Sequence, residues 1–157
     1  MNASFDLHEI DPILDALGRL PGALLPILHA VQAKAGYVPA EAVPMIAERL
    51  NLSRAEVHGV ISYYHHFRQH PAGKTVVQVC RAEACQSVGA EALAQHAMAE
   101  IGCDFHATSA DGAVTLEPVY CLGQCACGPA VMINDDLYAR VTPARLTSLL
   151  NQARSKA

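Results

Sequence analysis

The first half of the chain shows the hydrophobic spacing of amphipathic helices. One helix face is predicted from apolar residues spaced i, i+3, i+4 and i+7, namely Leu24, Ile27, Leu28, Val31 and Ala35. Gly36 follows directly, in a position where glycine commonly ends a helix. The same spacing predicts a second helix that begins near Pro39 and buries Val43, Ile46, Ala47 and Leu50. Residues 9–70 are therefore predicted to be helical.

A third helix has the clearest beginning. Ser53 and Glu56 have the S-x-x-E spacing of a capping box, and Leu52 and Val57 occupy the two positions of a hydrophobic staple. The stripe predicted to be buried in this helix consists of Val57, Val60, Ile61 and Tyr64. Proline and glycine within residues 71–73 then break the helical pattern. We therefore predict an N-terminal helical domain at residues 1–72 and a second domain at residues 73–157.

After this boundary the periodicity changes to that of strands. Residues 75–80 form a short β-branched run, typical of a strand buried on both faces. Ser87 is predicted to cap a helix over about residues 88–101, which Gly102 ends. Asp111 and Gly112 then form a turn signal.

Three further strands and a final helix are predicted in the last third of the chain. The strands cover residues 114–120, 130–133 and 137–141, and a hairpin turn at residues 134–136 joins the last two. Thr142 and Pro143 have the form of an N-cap and a first helical proline, and the helix extends to about residue 152. The order β-α-β-β-β-α predicts a right-handed crossover onto parallel strands, followed by an antiparallel hairpin. The predicted fold class is α+β: an N-terminal helical bundle followed by a thioredoxin-like α/β domain.

Composition narrows the classes of function. The net charge of −4 and the scattered eleven Lys and Arg argue against nucleic-acid binding, which needs clustered basic charge. No apolar run approaches the roughly 18–20 residues of a membrane helix. The beginning of the chain, with Asp6, Glu9 and Asp11, is unlike a secretion signal. A cytoplasmic protein is therefore expected, in which the six cysteines stay reduced and indicate metal or redox chemistry.

Four of the cysteines form the candidate site. Cys80 ends the first predicted strand, and Cys85 precedes the helix that follows. Cys121 and Cys125 follow the second strand, so the pattern is C-x4-C, then 35 residues, then C-x3-C. Because the carboxyl ends of parallel strands meet at one edge of a sheet, we expect both pairs to converge there. Cys103 has no close cysteine neighbour and is expected to be a small buried apolar residue.

Four thiolates suit a soft or borderline metal, and the spacing leaves three kinds of site open. A [2Fe–2S] cluster takes four cysteines, and structural zinc also uses ligand pairs two to four residues apart. A dithiol enzyme is disfavoured because no C-x-x-C is present. The predicted helix start near Ser87 would favour the negative charge of an iron–sulfur site. Gly123 and Gly128 would let backbone N–H groups approach the sulfurs.

Two stretches resemble the thioredoxin-like [2Fe–2S] ferredoxin family: VCRAEACQSVGAEAL at residues 79–93 and VYCLGQCACGPAVMIND at residues 119–135. That family includes the E-type subunit of NADH:quinone oxidoreductase, the matching part of NAD-reducing hydrogenases and the gamma subunit of NAD-dependent formate dehydrogenase. The stretches at residues 21–39 and 50–74 resemble the family's helical domain, so the resemblance covers about residues 20–150. In detail, RAEACQSVGAEAL, YYHHFR and CLGQCACGPAVM are most similar to the formate dehydrogenase gamma subunit.

The resemblance implies that Cys80, Cys85, Cys121 and Cys125 ligate one [2Fe–2S] cluster, whereas Cys127 occupies a position that the family does not use. It also implies a partner subunit that binds FMN and NAD and, through it, a molybdenum- or tungsten-containing formate dehydrogenase subunit. The helical domain is expected to dock the partner.

The chain itself shows no G-x-G-x-x-G, P-loop or nucleophile elbow. It is therefore expected to be a non-catalytic electron-transfer subunit of a formate dehydrogenase. The equivalent subunit of NADH:quinone oxidoreductase or of a hydrogenase is an alternative, and a zinc-stabilised interaction domain is a second one.

A group of histidines near the end of the third predicted helix could suggest a different metal site: His58, His65, His66 and His70. His66 and His70 are expected four residues apart on that helix, but no H-E-x-x-H motif is present. A solvated or partner-facing helix surface is therefore the expectation. The neighbouring aromatic residues are expected to divide between the core and a subunit interface: Tyr63, Tyr64 and Phe67.

Overall fold

The computed structural model describes residues 5–156, so residues 1–4 and 157 of the two predicted domains lie outside the described part. The chain divides into two units, Met1–Pro71 and Ala72–Ala157. Within residues 5–156, no helix is long and apolar enough to cross a membrane.

The first unit is helical. A 3-10 helix at Leu7–Ile10 leads into four α-helices: α1 (Asp11–Leu17), α2 (Leu24–Ala35), α3 (Ala42–Leu50) and α4 (Arg54–Tyr63). Their apolar faces form one core, whose most buried large side chains include Ile10, Ile27, Leu28, Val31, Ile46 and Val57. Each fully buried aliphatic side chain of this kind contributes about 1.5–3 kcal/mol.

The ends of these helices follow local signals. Gly36 ends α2 with a φ of 82°, and its N–H donates to the Gln32 carbonyl. Ser53 and Glu56 form the predicted capping box at the start of α4. Helix α3 begins at Ala42 and not near Pro39. The chain first makes a turn there, in which the Ala42 N–H donates to the Pro39 carbonyl.

The end of α4 corrects two predictions. The helix stops at Tyr63, so His66 and His70 do not lie on it, and Tyr64 is 43% exposed and not part of the buried stripe. The physical reason is a competing set of hydrogen bonds. The Gln32 side chain donates to the His66 carbonyl and accepts from the Arg68 N–H, at 2.8 and 2.7 Å.

The second unit is built on a five-stranded sheet with the order β2-β3-β1-β4-β5. Its strands are β1 (Thr75–Cys80), β2 (Ala107–Thr108), β3 (Val114–Val119), β4 (Val131–Ile133) and β5 (Asp136–Tyr138). The central pair, β1 and β3, is parallel, whereas the other neighbours are antiparallel. The short strand β2 has no counterpart in the sequence prediction, since two residues are too few to show a periodicity. In the hairpin, Ile133 pairs with Asp136, so the turn contains only residues 134–135.

Helices α5 (Glu83–Gln86), α6 (Ala90–Ile101) and α7 (Pro143–Lys156) accompany the sheet. The predicted cap at Ser87 is wrong. Gly89, with a φ of 97°, precedes α6, and the Ser87 hydroxyl donates to the Ala84 carbonyl instead. Thr142 does cap α7, because its hydroxyl accepts from the Arg145 N–H at 3.3 Å.

A second hydrophobic core lies between this sheet and its longer helices. The strands contribute Val77, Val79, Val114, Leu116 and Val131, and α6 and α7 contribute Leu93, Ala97, Leu146 and Leu150. The predicted fold class is thus confirmed: a helical N-terminal part is followed by a thioredoxin-like α/β arrangement with a parallel central pair of strands.

Candidate metal centre

The two central strands bring the cysteine-bearing loops to one edge of the sheet. Cys80 is the last residue of β1 and pairs in register with Val119, the last residue of β3. Cys121 therefore lies two residues beyond the end of the strand next to Cys80. This placement follows from the parallel pairing, which the β-α-β order predicted.

Cys80 and Cys85 form a buried pair. Each is 2% exposed, and together with Ala90 and Ala130 they make up a small separate core. The Cys80 N–H donates to the Ala130 carbonyl at 3.0 Å, which ties the end of β1 to the residue before β4. Burial raises the pKa of the Cys85 thiol, and hydrogen bonding with the Cys80 thiol raises it further.

Cys121 and Cys125 form an exposed pair. Their sulfur atoms are 3.6 Å apart, and the Gly123 N–H donates to the Cys121 sulfur at 3.3 Å. The Gly123 N–H, followed by hydrogen bonding with Cys125, lowers the pKa of Cys121. The hydrogen bond with Cys121 and the charge of its thiolate raise the pKa of Cys125. The backbone of this loop thus favours negative charge on the sulfur of Cys121.

The structure brings the two pairs together. Cys125 lies within electrostatic range of both Cys80 and Cys85, so the two loops bring their cysteines close to each other. Their role as ligands stays a prediction at this point. The other two cysteines lie elsewhere: Cys103 packs against the sheet core, and Cys127 follows Cys125 in the exposed loop.

Gly128 contributes to the site by the absence of a side chain. A Cβ at this position would lie 2.9 Å from Val88 Cγ2 and 3.3 Å from the sulfur of Cys85. Backbone from the second loop therefore packs directly against the first cysteine pair. The expected N–H approach to a sulfur is observed for Gly123, whereas Gly128 provides close backbone contact.

Ser87 does not begin a helix whose dipole could act on the cysteines, which corrects that expectation. Cys85 lies within α5, a single turn of four residues, and α6 begins only at Ala90. Gly89 separates the two helices, and only the second of them corresponds to the helix predicted over about residues 88–101.

Arg81 is a site residue that the sequence pattern did not single out. Its backbone N–H donates to the Val119 carbonyl, and its backbone carbonyl accepts from the Gln86 side chain, both at 2.7 Å. Its guanidinium pairs with Glu91 of α6 at 2.7 Å and lies 5.3 Å from the centre of the Phe105 ring. These contacts hold the segment between Cys80 and Cys85. The only sequence signal was its position inside the C-x4-C motif.

Cys127 has a basic neighbour. Arg140 Nη2 lies 3.9 Å from the Cys127 sulfur, and the Arg140 N–H donates to the Cys127 carbonyl at 2.8 Å. The loop of the exposed pair is thereby joined to the segment after β5. These contacts give Cys127 a structural role.

The four converging thiols fit a [2Fe–2S] cluster. They form two close pairs, one in each loop, and one pair lies against an apolar wall, whereas a [2Fe–2S] cluster takes four cysteine thiolates. Within residues 5–156 there is no group of three or more His, Cys, Asp or Glu side chains arranged to hold a single metal ion. The predicted histidine group of the first unit therefore does not form such a group either.

Of the predicted histidine group, His66 takes part in ring packing. The rings of His29 and His66 are 5.1 Å apart, and His29 also packs edge-on against Phe67. Partial burial, with the charges of His29 and Arg68, lowers the pKa of His66. Phe67 is buried, whereas Tyr63 is 76% exposed, so the aromatic residues divide between core and surface, and the expected interface stays a prediction.

Known proteins resemble this chain over most of its length. The model of the family described as thioredoxin-like [2Fe-2S] ferredoxin matches residues 10–154. The HndA component of the NADP-reducing hydrogenase of Solidesulfovibrio fructosivorans is 30% identical over 91% of this chain and 84% of its own length. The E-type subunit of the NADH-quinone oxidoreductase of Pseudomonas aeruginosa is 36% identical over 82% of this chain and 77% of its own length.

Other similar proteins are longer than this chain. It spans 57% of the E-type subunit of the NADH-quinone oxidoreductase of Mycobacterium tuberculosis, with 33% identity over 90% of this chain. Among solved structures, a chain of an NAD+-reducing [NiFe]-hydrogenase in the H2-reduced state matches with a TM-score of 0.70 and 25% identity. That match covers 85% of this chain and 22% of the hydrogenase chain.

Proposed function

The chain belongs to the thioredoxin-like [2Fe–2S] ferredoxin family, and on that premise we propose that it is the electron-transfer subunit of an NAD-dependent formate dehydrogenase. Its cofactor is one [2Fe–2S] cluster, and such a cluster supplies one-electron transfer. The chain is a non-catalytic subunit of an oxidoreductase complex, in keeping with its hydrogenase and NADH-quinone oxidoreductase relatives.

We propose Cys80, Cys85, Cys121 and Cys125 as the cluster ligands. The observation that carries this proposal is that the loops after β1 and β3 begin side by side at one edge of the sheet, with Cys125 within electrostatic range of both Cys80 and Cys85. In this arrangement Cys80 and Cys85 supply sulfurs from a buried wall. Cys121 and Cys125 supply sulfurs from the exposed loop, where the Gly123 N–H stabilises negative charge.

The sequence shows no G-x-G-x-x-G dinucleotide-binding motif. NAD takes a hydride, and flavin is the usual agent that converts hydride to single electrons. We therefore propose that FMN and NAD bind a partner subunit and that a molybdenum- or tungsten-containing subunit oxidises formate. The helical unit, Met1–Pro71, is proposed to dock that partner. The cytoplasmic location expected from the sequence remains a prediction.

Formate as the substrate rests on the resemblance of three stretches to the gamma subunit of formate dehydrogenase. The alternative complexes have support of their own, since the similar proteins are named as parts of a hydrogenase and of NADH-quinone oxidoreductases. The local chemistry at the four cysteines is the same in all three cases.

The parent complex can be identified by purifying it through a tag on this chain. We expect the preparation to contain a flavin subunit and to reduce NAD with formate. Reduction of NAD with hydrogen, or of quinone with NADH, in a preparation inactive with formate would contradict the formate assignment and leave the electron-transfer role intact.

The cofactor can be tested on the isolated chain by its iron, zinc and acid-labile sulfide content and by visible spectra before and after dithionite reduction. We expect iron and labile sulfide in equal amounts and a spectrum that bleaches on reduction. A colourless protein that holds zinc without labile sulfide would support the interaction-domain alternative instead.

A further inference from the structure

A groove of about 550 Å3 lies on the helical unit between α3, α4 and the segment at residues 69–70. Its apolar lining comprises Val38, Ala40, Val43, Pro44, Ala55 and Ile61. Val38 and Ile61 are only 2% and 3% exposed, so the floor of the groove is the edge of the core. All of these residues belong to one unit of the chain.

The shape of the groove suits a helix. Helix α4 lines it with Arg54, Ala55, His58 and Ile61, which are spaced i, i+1, i+4 and i+7 along one face. At 1.5 Å per residue, these positions span about 10 Å, or two helical turns. Amphipathic helices bind apolar grooves through their own apolar anchors, which are spaced i, i+3, i+4 and i+7.

Among the residues that the structure describes, the lining of the groove carries formal charge only at Arg54, which is positive. Its charged or titratable side chains are Arg54, His58 and His70, and no Asp or Glu of residues 5–156 lines it. The chain as a whole has a net charge of −4, so this basic lining differs from the rest of the surface. Among the ion pairs of the described part of the chain, none involves Arg54.

We infer that this groove binds an acidic amphipathic helix of a partner subunit, with apolar side chains over Val43 and Ile61 and carboxylates facing Arg54 and the two histidines. The inference rests on the proposed function in one respect, namely that the chain works beside a partner. Complementary charge at the rim of such a contact affects specificity and association rate more than it affects affinity. The apolar floor therefore supplies affinity, and the basic rim selects acidic helices.

The test uses two synthetic peptides of about 16 residues that share one leucine face and differ in their flanking residues, glutamate in one and lysine in the other. Binding to the full chain is measured by fluorescence anisotropy at low salt. We expect the glutamate peptide to bind at least about tenfold more tightly, which corresponds to about 1.4 kcal/mol. Equal affinities, or no detectable binding of the glutamate peptide, would overturn the inference.

Two variants place the contact on the groove. Arg54→Glu reverses the charge at the first residue of α4, where a carboxylate is favourable to the helix, so the fold should be retained. Arg19→Glu makes the same change on an exposed residue outside the groove lining. We expect Arg54→Glu to lose the preference for the glutamate peptide and Arg19→Glu to keep it. Equal effects of the two variants would refute the assignment to this groove.

The same proteins separate this inference from the proposed function. Both variants should keep the iron content and the visible spectrum of the unaltered chain, because both residues belong to the first unit and the cysteines belong to the second. Loss of the preference for the glutamate peptide in Arg54→Glu, with an unchanged visible spectrum, would therefore bear on the groove inference and leave the electron-transfer proposal unaffected. A chain without iron that still selects the glutamate peptide would contradict only the electron-transfer proposal.

Discussion

The two cysteine pairs of the candidate site differ in their surroundings. Cys80 and Cys85 are each 2% exposed and pack with Ala90 and Ala130. Cys121 and Cys125 are exposed in a loop that carries a 3-10 turn. The same residue type is therefore held by tertiary packing in one loop and mainly by local backbone contacts in the other.

We therefore expect the buried and the exposed cysteine pairs to contribute differently to the site. The buried pair is surrounded by groups from α5, α6 and the segment before β4, so its geometry has little freedom to change. The exposed pair is adjusted by the Gly123 N–H, which lowers the pKa of Cys121. We expect changes near the first pair to affect assembly of the site, and changes near the second to affect its electronic properties.

The largest effect should come from serine in place of a cysteine in each pair. In Cys85→Ser a hydroxyl enters an apolar wall, which costs about 1–3 kcal/mol when the hydroxyl lacks a partner. Cys125→Ser places the hydroxyl in an exposed loop that can adjust. We expect Cys85→Ser to retain far less iron and labile sulfide than Cys125→Ser.

Cys103→Ser is the matched control for these variants, because Cys103 is half-buried against the sheet core and its sulfur donates to the Ala107 carbonyl. It should retain the full iron content. Equal iron loss in Cys85→Ser and Cys125→Ser would remove the proposed distinction between the pairs.

The next effect should follow from Gly128→Ala. The new Cβ would lie 2.9 Å from Val88 Cγ2 and 3.3 Å from the Cys85 sulfur, and such overpacking typically costs about 1–3 kcal/mol. Urea denaturation of the iron-free chain should show this loss in the free energy of unfolding. Adding Val88→Ala removes Val88 Cγ2, the atom nearest the new Cβ, and should restore part of the lost free energy of unfolding.

Gly59→Ala provides the contrast, since a Cβ at Gly59 would meet no atom of the described residues within 4 Å. Alanine in a helix interior is favoured over glycine by about 0.5–1 kcal/mol, so this variant should be stabilised. If Gly128→Ala were as stable as Gly59→Ala, the close contact with Cys85 would be refuted.

A smaller and different effect is expected at Gly123. Its φ of 75° is unfavourable for alanine by about 1–2 kcal/mol, and relaxation of this strain would weaken the N–H bond to the Cys121 sulfur. Hydrogen bonds to the sulfurs are among the factors that set the reduction potential of an iron–sulfur site. Fewer such bonds stabilise the reduced state less, so Gly123→Ala should have a more negative potential in an EPR-monitored titration.

Gly112→Ala has nearly the same backbone strain, with a φ of 71°, but lies in the turn before β3. It should lose similar stability and keep the potential unchanged. An equal potential shift in both variants would show that strain, and not the hydrogen bond at Cys121, is responsible.

The smallest effect should come from Arg81, which anchors the segment of the buried pair. Its side chain is 31% exposed and that of Glu91 is 55% exposed, and ion pairs of this kind contribute about 0–1 kcal/mol. Arg81→Gln should therefore unfold nearly as the unaltered chain does but release iron faster to a chelator. A double-mutant cycle with Glu91→Gln measures how much of the effect on iron release comes from the Arg81–Glu91 ion pair. An iron release rate in Arg81→Gln equal to that of the unaltered chain would exclude an anchoring role for Arg81.

Several elements could be predicted from short stretches of sequence. The capping box at Ser53 and Glu56, the glycine stop at Gly36 and the cap at Thr142 all depend on groups within a few residues of each other. The strand Thr75–Cys80 was recognisable because a central strand needs apolar residues on both faces. The C-x4-C and C-x3-C spacings identified the candidate cysteines for the same local reason.

Other features depended on residues that are distant in sequence. The end of α4 is set by Gln32, whose side chain binds backbone more than thirty positions away. By contrast, the cap expected at Ser87 failed for a local reason, since Gly89 starts a new helix and the Ser87 hydroxyl donates to the Ala84 carbonyl. The strand Ala107–Thr108 forms only because β3 offers it a partner.

The succession of helices and strands, the two cysteine motifs and the resemblance to a [2Fe–2S] family were all readable along the chain. The reason is that capping, periodicity and motif spacing act over a few residues. Tertiary packing was needed to establish that one cysteine pair is buried and the other exposed, that Gly128 packs against Cys85 and that Arg81 anchors the first loop. Burial and close approach depend on which distant segments meet, and that is settled by the packing of the sheet and its helices.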